Sequence, residues 1–377
     1  FVSWSNGVTN ESITIIISSN TTLTANFDII PPDTVSIAEN GITIIASPLA
    51  DVGSISIFNG NEYIIVSEDQ LRSMVNEDQD LTYVITSKVT NMNILFLNKT
   101  INGDISSWDV SNVNSMRDMF WGSVFNGDIS SWDVSNVTDI AGIFNHSTFN
   151  QDISSWDVSN VTNMGWAFND SDFNKDISQW NVSNVTDMQN MFAYSSFNQP
   201  IGNWDVSNVT NMNVMFEESL FDGDISSWDV SNVTSMIGMF KKSQFNKPIG
   251  NWDVSNVTDI GMIFESSIFN QPIGNWNVSK VFSMFGMFFN SPFNQSIGNW
   301  DVSNVINMNY MFQSFPNSRE YHPFNQDISN WDVSKVRNMF FMFCDATNFN
   351  QDISNWNLPD DIKFNAFLGH PNSIWDY

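Results

Sequence analysis

Tryptophan recurs every 24 residues through most of this chain, at Trp108, Trp132, Trp156, Trp180, Trp204, Trp228, Trp252, Trp276 and Trp300. Trp331 and Trp356 follow after steps of 31 and 25. The surrounding phrase recurs too, as in FNGDISSWDVSNV over 125–137. A fixed period of 20–50 residues implies an array in which each unit packs only on its neighbours. Such a chain builds a long surface rather than a central pocket.

With Trp as position zero, apolar residues fall at +2, +5, +8, +11, +12, +17 and +21. In one unit these are Val134, Val137, Ile140, Ile143, Phe144, Phe149 and Ile153. Residues 129–137 read I-x-x-W-x-V-x-x-V, the spacing of a leucine-rich-repeat strand with Trp and Val turned inward. Positions +5, +8, +11 and +12 have helical spacing. Thr138 followed by Asp139 offers a cap and an early acidic residue. A two-turn helix is therefore predicted there, held only by stacking.

Polar positions repeat as strictly. Ser stands at +3, as in Ser111 and Ser135, and Asn at +18, as in Asn126, Asn150 and Asn174. Hydrogen-bond ladders between units explain both, with side chains satisfying turn backbone groups. Asn-Val-Thr triplets at Asn136, Asn160 and Asn208 match glycosylation acceptors but follow from the repeat itself.

Net charge is −28, from 41 acidic and 13 basic residues. That excludes nucleic acid and anionic membrane as partners, since phosphate binding needs clustered Lys and Arg. It suits an extracellular surface or cation binding. One cysteine, Cys344, leaves no internal disulfide, so packing of 32 Phe, 15 Trp and 18 Met must hold the chain. No apolar run reaches membrane-spanning length. The sequence opens on Phe1 with no signal peptide, which reads as a piece of a longer protein.

The phrase F-N-x-x-I-x-x-W-D-V-S-N-V-T-x-M-x-x-M-F resembles the BspA-like surface repeats. These are a bacterial leucine-rich-repeat relative first catalogued as a domain of unknown function in mycoplasmas. The likeness runs from Val89 to about Phe367 in some eleven copies. Residues 1–30 look like the end of an internalin-type repeat module. The resemblance implies a cell-surface protein engaged in adhesion or partner contact, with no catalytic residues. Two departures stand out. The chain gains seven residues within 313–323, and the Asp at +20 gives way to Pro200, Pro248, Pro272 and Ser296.

Four segments follow. Residues 1–30 alternate as strands. Residues 31–88 read as strands and a short helix opened by a capping box at Ser67 and Gln70, covering the first unit. Residues 89–357 are the array, with Val84 in the Trp slot of a lead-in unit, and 358–377 cap the far end. The expected fold class is thus an α/β solenoid, leucine-rich-repeat-like, of strand-plus-short-helix units.

No catalytic phrase is present, and His146, His322 and His370 lie far apart. The reading is non-enzymatic. One candidate binding row is position +1, expected to point outward: Asp109, Asp133, Asp157, Asp205, Asp229, Asp253, Asp301 and Asp332. Stacked about one strand spacing apart, these carboxylates could recruit Ca²⁺; otherwise they bond neighbouring turns. A second candidate is the insertion, with Tyr321 and His322 on a protruding loop. A third is the set of positions where repetition stops, +9, +10, +13, +14 and +16, which hold Trp121, His146, Trp166, Tyr194, Glu217, Glu218, Lys241, Lys242 and Phe289. The function expected is extracellular contact with a protein or glycan on another cell. A structural spacer or self-associating fibre and a glycan-binding module are the alternatives.

Overall fold

A computed structural model describes residues 3–4, 25–26, 35–314, 322–358, 362 and 365–366. Of 1–30, it places one antiparallel pair, β1 (Ser3–Trp4) with β2 (Ala25–Asn26).

Residues 35–88 form the expected strands and helix. Antiparallel β3 (Val35–Ile37) and β4 (Ile44–Ala46) turn through Asn40, whose Oδ1 accepts from the amides of Ile42 and Thr43. Strands β5 (Ile55–Phe58) and β6 (Asn61–Ile65) join through Asn59-Gly60, both at positive φ, as a tight hairpin of right-handed twist requires. Helix α1 (Glu68–Asn76) begins with the capping box: Gln70 N donates to Ser67 Oγ and Ser67 N to Gln70 Oε1. Its Leu71 and Val75 join the same core as the Trp rows. Strand β7 (Val84–Ile85) pairs parallel with β6 and places buried Val84 in the first Trp slot.

From there the units stack in register. Parallel bridges link Asn91 to Ser115, Ser115 to Asp139, and onward at each +7 position to Asn338. All eleven indoles point inward, between 0 and 4 % exposed. Each Trp Nε1 donates to the carbonyl three residues before the preceding Trp, as Trp156 does to Ile129 at 3.1 Å. Neighbouring indoles lie parallel, 6.5 Å apart between Trp132 and Trp156. The +12 and +17 phenylalanines form two more rows, and within one unit Phe144 and Phe149 stack at 4.0 Å. The core is therefore three parallel aromatic ladders filled out by Val, Met and Ile.

The Asn ladder is formed as well: Asn150 N donates to Asn126 Oδ1, and Asn174 N to Asn150 Oδ1. Asp222 replaces Asn in this row and still accepts from Asn246 N, because only an oxygen is needed. At +4, Asn136 Nδ2 donates to Ser111 O. The nitrogen a glycan would occupy is thus already bonded between units.

Two expectations are overturned. The predicted strand at Trp does not form a ladder. Aspartates on either side close local turns instead: Asp128 Oδ1 accepts from Ser130 N, and Asp133 Oδ1 from Ser135 N. Such side-chain bonds compete with a sheet. The predicted helix is also absent; no described residue of 89–358 is helical. At positions +8, +10, +12 and +14 the amides reach forward to the next unit, as Asp118 N does to Ala141 O and Phe120 N to Ile143 O. At +11, +13 and +15 they close turns within their own unit, as Met119 N does to Met116 O. The device is a left-handed residue at +10 and again at +14: Asp118, Gly142, Trp166, Asn190 and Val214 at the first, His146, Asp170 and Tyr194 at the second. Alternating hand turns successive peptide groups alternately along the stack and across it. Left-handed backbone costs about 1–2 kcal/mol per non-glycine residue. The inter-unit bonds it makes possible offset that cost.

The Pro/Asp alternation at +20 has a cause nearby. Where Asp stands, Ser follows two residues on and closes the turn. Where Pro200, Pro248, Pro272 or Ser296 stands, Gly202, Gly250, Gly274 or Gly298 follows. A Cβ on Gly274 would sit 2.6 Å from the backbone oxygen of Ser296 in the next unit. Gly274→Ala is therefore expected to destabilise by about 1–3 kcal/mol, as overpacking against backbone does. Ser226→Ala, in an Asp-type turn, should move the melt much less. Equal melting temperatures for Gly274→Ala and the parent chain would refute the close-approach explanation.

Candidate binding face

The aspartates at +1 are placed first. Asp133, Asp157, Asp205, Asp229, Asp253, Asp301 and Asp332 are exposed, as expected. Each carboxylate accepts the amide of the serine two residues on, at 3.0–3.1 Å. The serine hydroxyl and amide together hold the carboxyls of Asp157, Asp229, Asp253, Asp301 and Asp332 below the usual range. Asp109 departs from the row. It is 2 % exposed, because β4 lies on this side of the first unit, with Ile44 N bonded to Ser107 O. Asp109 Oδ1 accepts from both the amide and the hydroxyl of Ser111. It is a buried turn closure, not a surface ligand.

The insertion resolves differently from its reading. Tyr321 lies outside the described residues, as do all of 315–321. His322 is not on a protruding loop; it is 1 % exposed. It occupies the +15 slot that serine fills in eight units. There Phe149 N donates to Ser147 Oγ; here Phe324 N donates to His322 Nδ1 at 3.2 Å. His322 Nε2 in turn donates to Phe288 O at 2.8 Å. Both ring nitrogens are thus committed to the neutral form, and burial pushes the imidazole down to about 4. Ser314 and His322 flank seven residues that have no counterpart elsewhere. Deleting 315–321 should leave the thermal melt within about 1 °C, because surface insertions close at small entropic cost. A drop of several degrees would mean the insertion supports the stack.

The positions where repetition stops are exposed in some units only. At +9, +10 and +13 the residues Ala141, Asn145, Asn169, Asn190, Ala193 and Glu217 are buried, whereas larger side chains in other units reach the surface. Most units place small or polar groups there, with single exposed aromatics at Trp121 and Trp166, and Tyr194 is exposed at +14. Toward the C-terminal end the aromatics converge. Phe285 and Phe289 of one unit, Tyr310 of the next and Phe340 and Phe341 beyond it lie together. Phe285 meets Tyr310 edge-on at 5.5 Å and 80°, and Tyr310 meets Phe340 at 6.1 Å and 90°. Lys241, Met262, Glu265, Phe285, Phe289, Tyr310 and Gln313 line a groove of about 410 Å³. Lys241 Nζ lies 3.2 Å from Glu217 and 3.8 Å from Glu265. Burial raises the Glu265 carboxyl above the usual range, against the pull of Lys241. Phe282 and Ile306, which replace the threonine of the +6 row, extend the exposed apolar surface. The sequence named Phe289 and Lys241 in this set; Phe285, Tyr310 and Glu265 stand at its flagged positions +9, +10 and +13 but were not singled out. The signal for the first two was aromatic residues at +9 and +10 in three successive units.

The family model for "Mycoplasma protein of unknown function, DUF285" matches this chain five times in overlapping registers, over 68–172, 125–220, 147–244, 193–292 and 263–374. The chain belongs to that family. It is a repeat-containing protein whose matched region takes in α1, the whole array and the groove. No curated protein matches it. No helix among the described residues is long and apolar enough to cross a membrane.

Proposed function

We propose that this chain is a non-enzymatic contact module of an extracellular, cell-surface bacterial protein. In this reading it is a leucine-rich-repeat-like solenoid whose units are joined by turns in place of helices. The array is the scaffold, and the aromatic groove that the C-terminal units build at +9, +10 and +13 is the contact surface. The observation that supports this best is the groove around Tyr310. The repeat holds its core residues strictly and abandons repetition at the positions that build a concave, aromatic-lined surface. Exposed apolar clusters on a soluble scaffold mark partner sites, and aromatic residues supply much of the energy at such sites. The overall acidity fits a surface working in salt water.

The test is binding of the fluorescently labelled chain to a panel of bacterial and host cells. Phe285→Ser/Tyr310→Ser should abolish the binding while leaving the melt close to that of the parent. Binding unaffected by the double substitution would remove the groove from the account. Light scattering of the pure chain distinguishes the fibre alternative, which requires self-association. Addition of millimolar Ca²⁺ against chelator at matched ionic strength should give superimposable melts, because the +1 carboxylates already serve their own turns. A calcium-dependent rise would restore the aspartate row as a cation site.

A further inference from the structure

The groove's walls and charge select a class of ligand. Phe285 and Tyr310 meet edge-on at 80°, 5.5 Å between centroids, and both line the groove. Met262 and Phe289 complete an apolar lining. In the same lining, one ammonium, Lys241, serves two carboxylates, Glu217 and Glu265, and sits nearer the first. Lys242 is taken up by Glu218. Three carboxylates therefore face two ammoniums, so the cluster carries an excess negative charge, and Glu265, half-buried beside aromatic rings, holds only the longer of the two Lys241 contacts. Aromatic faces attract cations, most strongly where water is partly excluded, and a guanidinium both stacks on rings and pairs with a carboxylate.

Resting on the contact-module reading, we propose that this groove receives an arginine or lysine side chain from an extended basic segment of a partner protein. The cation lies against Tyr310 and Phe285 and reaches Glu265. An apolar side chain would desolvate the Glu265 carboxylate further with only the ammonium it shares with Glu217 to offset it, and an acidic one would add repulsion. The chain's net charge of −28 draws basic partners from a distance; the groove discriminates among their side chains at contact.

The experiment uses the whole chain and a labelled, capped (Gly-Ser-Arg)-repeat peptide, with a citrulline version of the same shape and no charge. Binding is followed by fluorescence anisotropy at physiological ionic strength. The arginine peptide should bind at least about tenfold more tightly than the citrulline peptide. Tyr310→Ser and Glu265→Gln should each weaken the arginine peptide about tenfold. Asp133→Asn, which removes an equal charge far from the groove, should change it less than twofold. Equal weakening by Asp133→Asn would show non-specific attraction to an acidic chain and overturn the proposal. Equal binding of both peptides, still lost in Tyr310→Ser, would overturn the cation specificity while leaving the contact face standing. No binding of the arginine peptide also overturns the proposal, and the cell panel then decides the contact reading separately.

Discussion

Replacing Trp228 with alanine is expected to destabilise the chain by about 3–5 kcal/mol, the range for truncating a fully buried large side chain. The indole is 3 % exposed, stacks on Trp252 at 6.5 Å and on Phe216 at 6.4 Å, and donates to Ile201 O at 3.0 Å. Removing it opens a cavity between two units and leaves the Ile201 carbonyl without its donor. Trp228→Phe separates these effects, since it restores part of the volume but not the N–H. Denaturant melts should rank the parent above Trp228→Phe and both above Trp228→Ala. A loss below about 1 kcal/mol for Trp228→Ala would mean the indole does not carry the core.

The second large effect is acid-dependent and traces to His322. Its folded pKa of about 4 lies below the 6.5 of an exposed imidazole. The unfolded chain therefore takes up the proton first. Stability is complete above about pH 6.5 and falls as pH drops toward 4, by up to about 3 kcal/mol. The aspartates closing turns have depressed pKa values, so their contribution is lost only at lower pH, as it falls through those values. Substituting His322→Ser restores the residue that eight other units use at this slot and keeps an acceptor for Phe324 N. The stability difference between about pH 7 and about pH 4.5 should shrink by most of that amount in the variant. An unchanged difference would mean that His322 is not the titrating group.

What the sequence could and could not disclose follows from the same geometry. The period, the inward rows and the +18 ladder were legible because each repeats a side-chain type whose role is local. Trp at zero, Phe at +12 and Asn at +18 are such positions. The α1 cap was legible because Ser67 and Gln70 carry a three-residue signature. The turns at +8 to +15 were not, because their apolar spacing is also that of a helix. Their distinguishing mark, left-handed backbone at +10 and +14, falls on Val214, Trp166 and Tyr194, which have no preference for it. Glycine at Gly142, Gly238 and Gly286, and Asn or Asp at Asp118, Asp170 and Asn190, were the hints. His322 read as a loop residue because the insertion hides its equivalence to Ser291. Asp109 read as exposed because its cover comes from β4, far away in sequence. The groove escaped notice because it is assembled from residues of several successive units, and no one unit contains it.

The central claim is that each unit hydrogen-bonds to the next through the segment that sequence spacing assigns to a helix. Through-hydrogen-bond scalar coupling in the deuterated, isotope-labelled chain reads this directly, because it identifies the carbonyl that accepts a given amide. The amide of Phe192 should couple to the carbonyl of Met215, in the following unit, where the two atoms lie 3.0 Å apart. Coupling to the carbonyl of Met188 instead, four residues back in the same unit, would restore the helix and contradict the account.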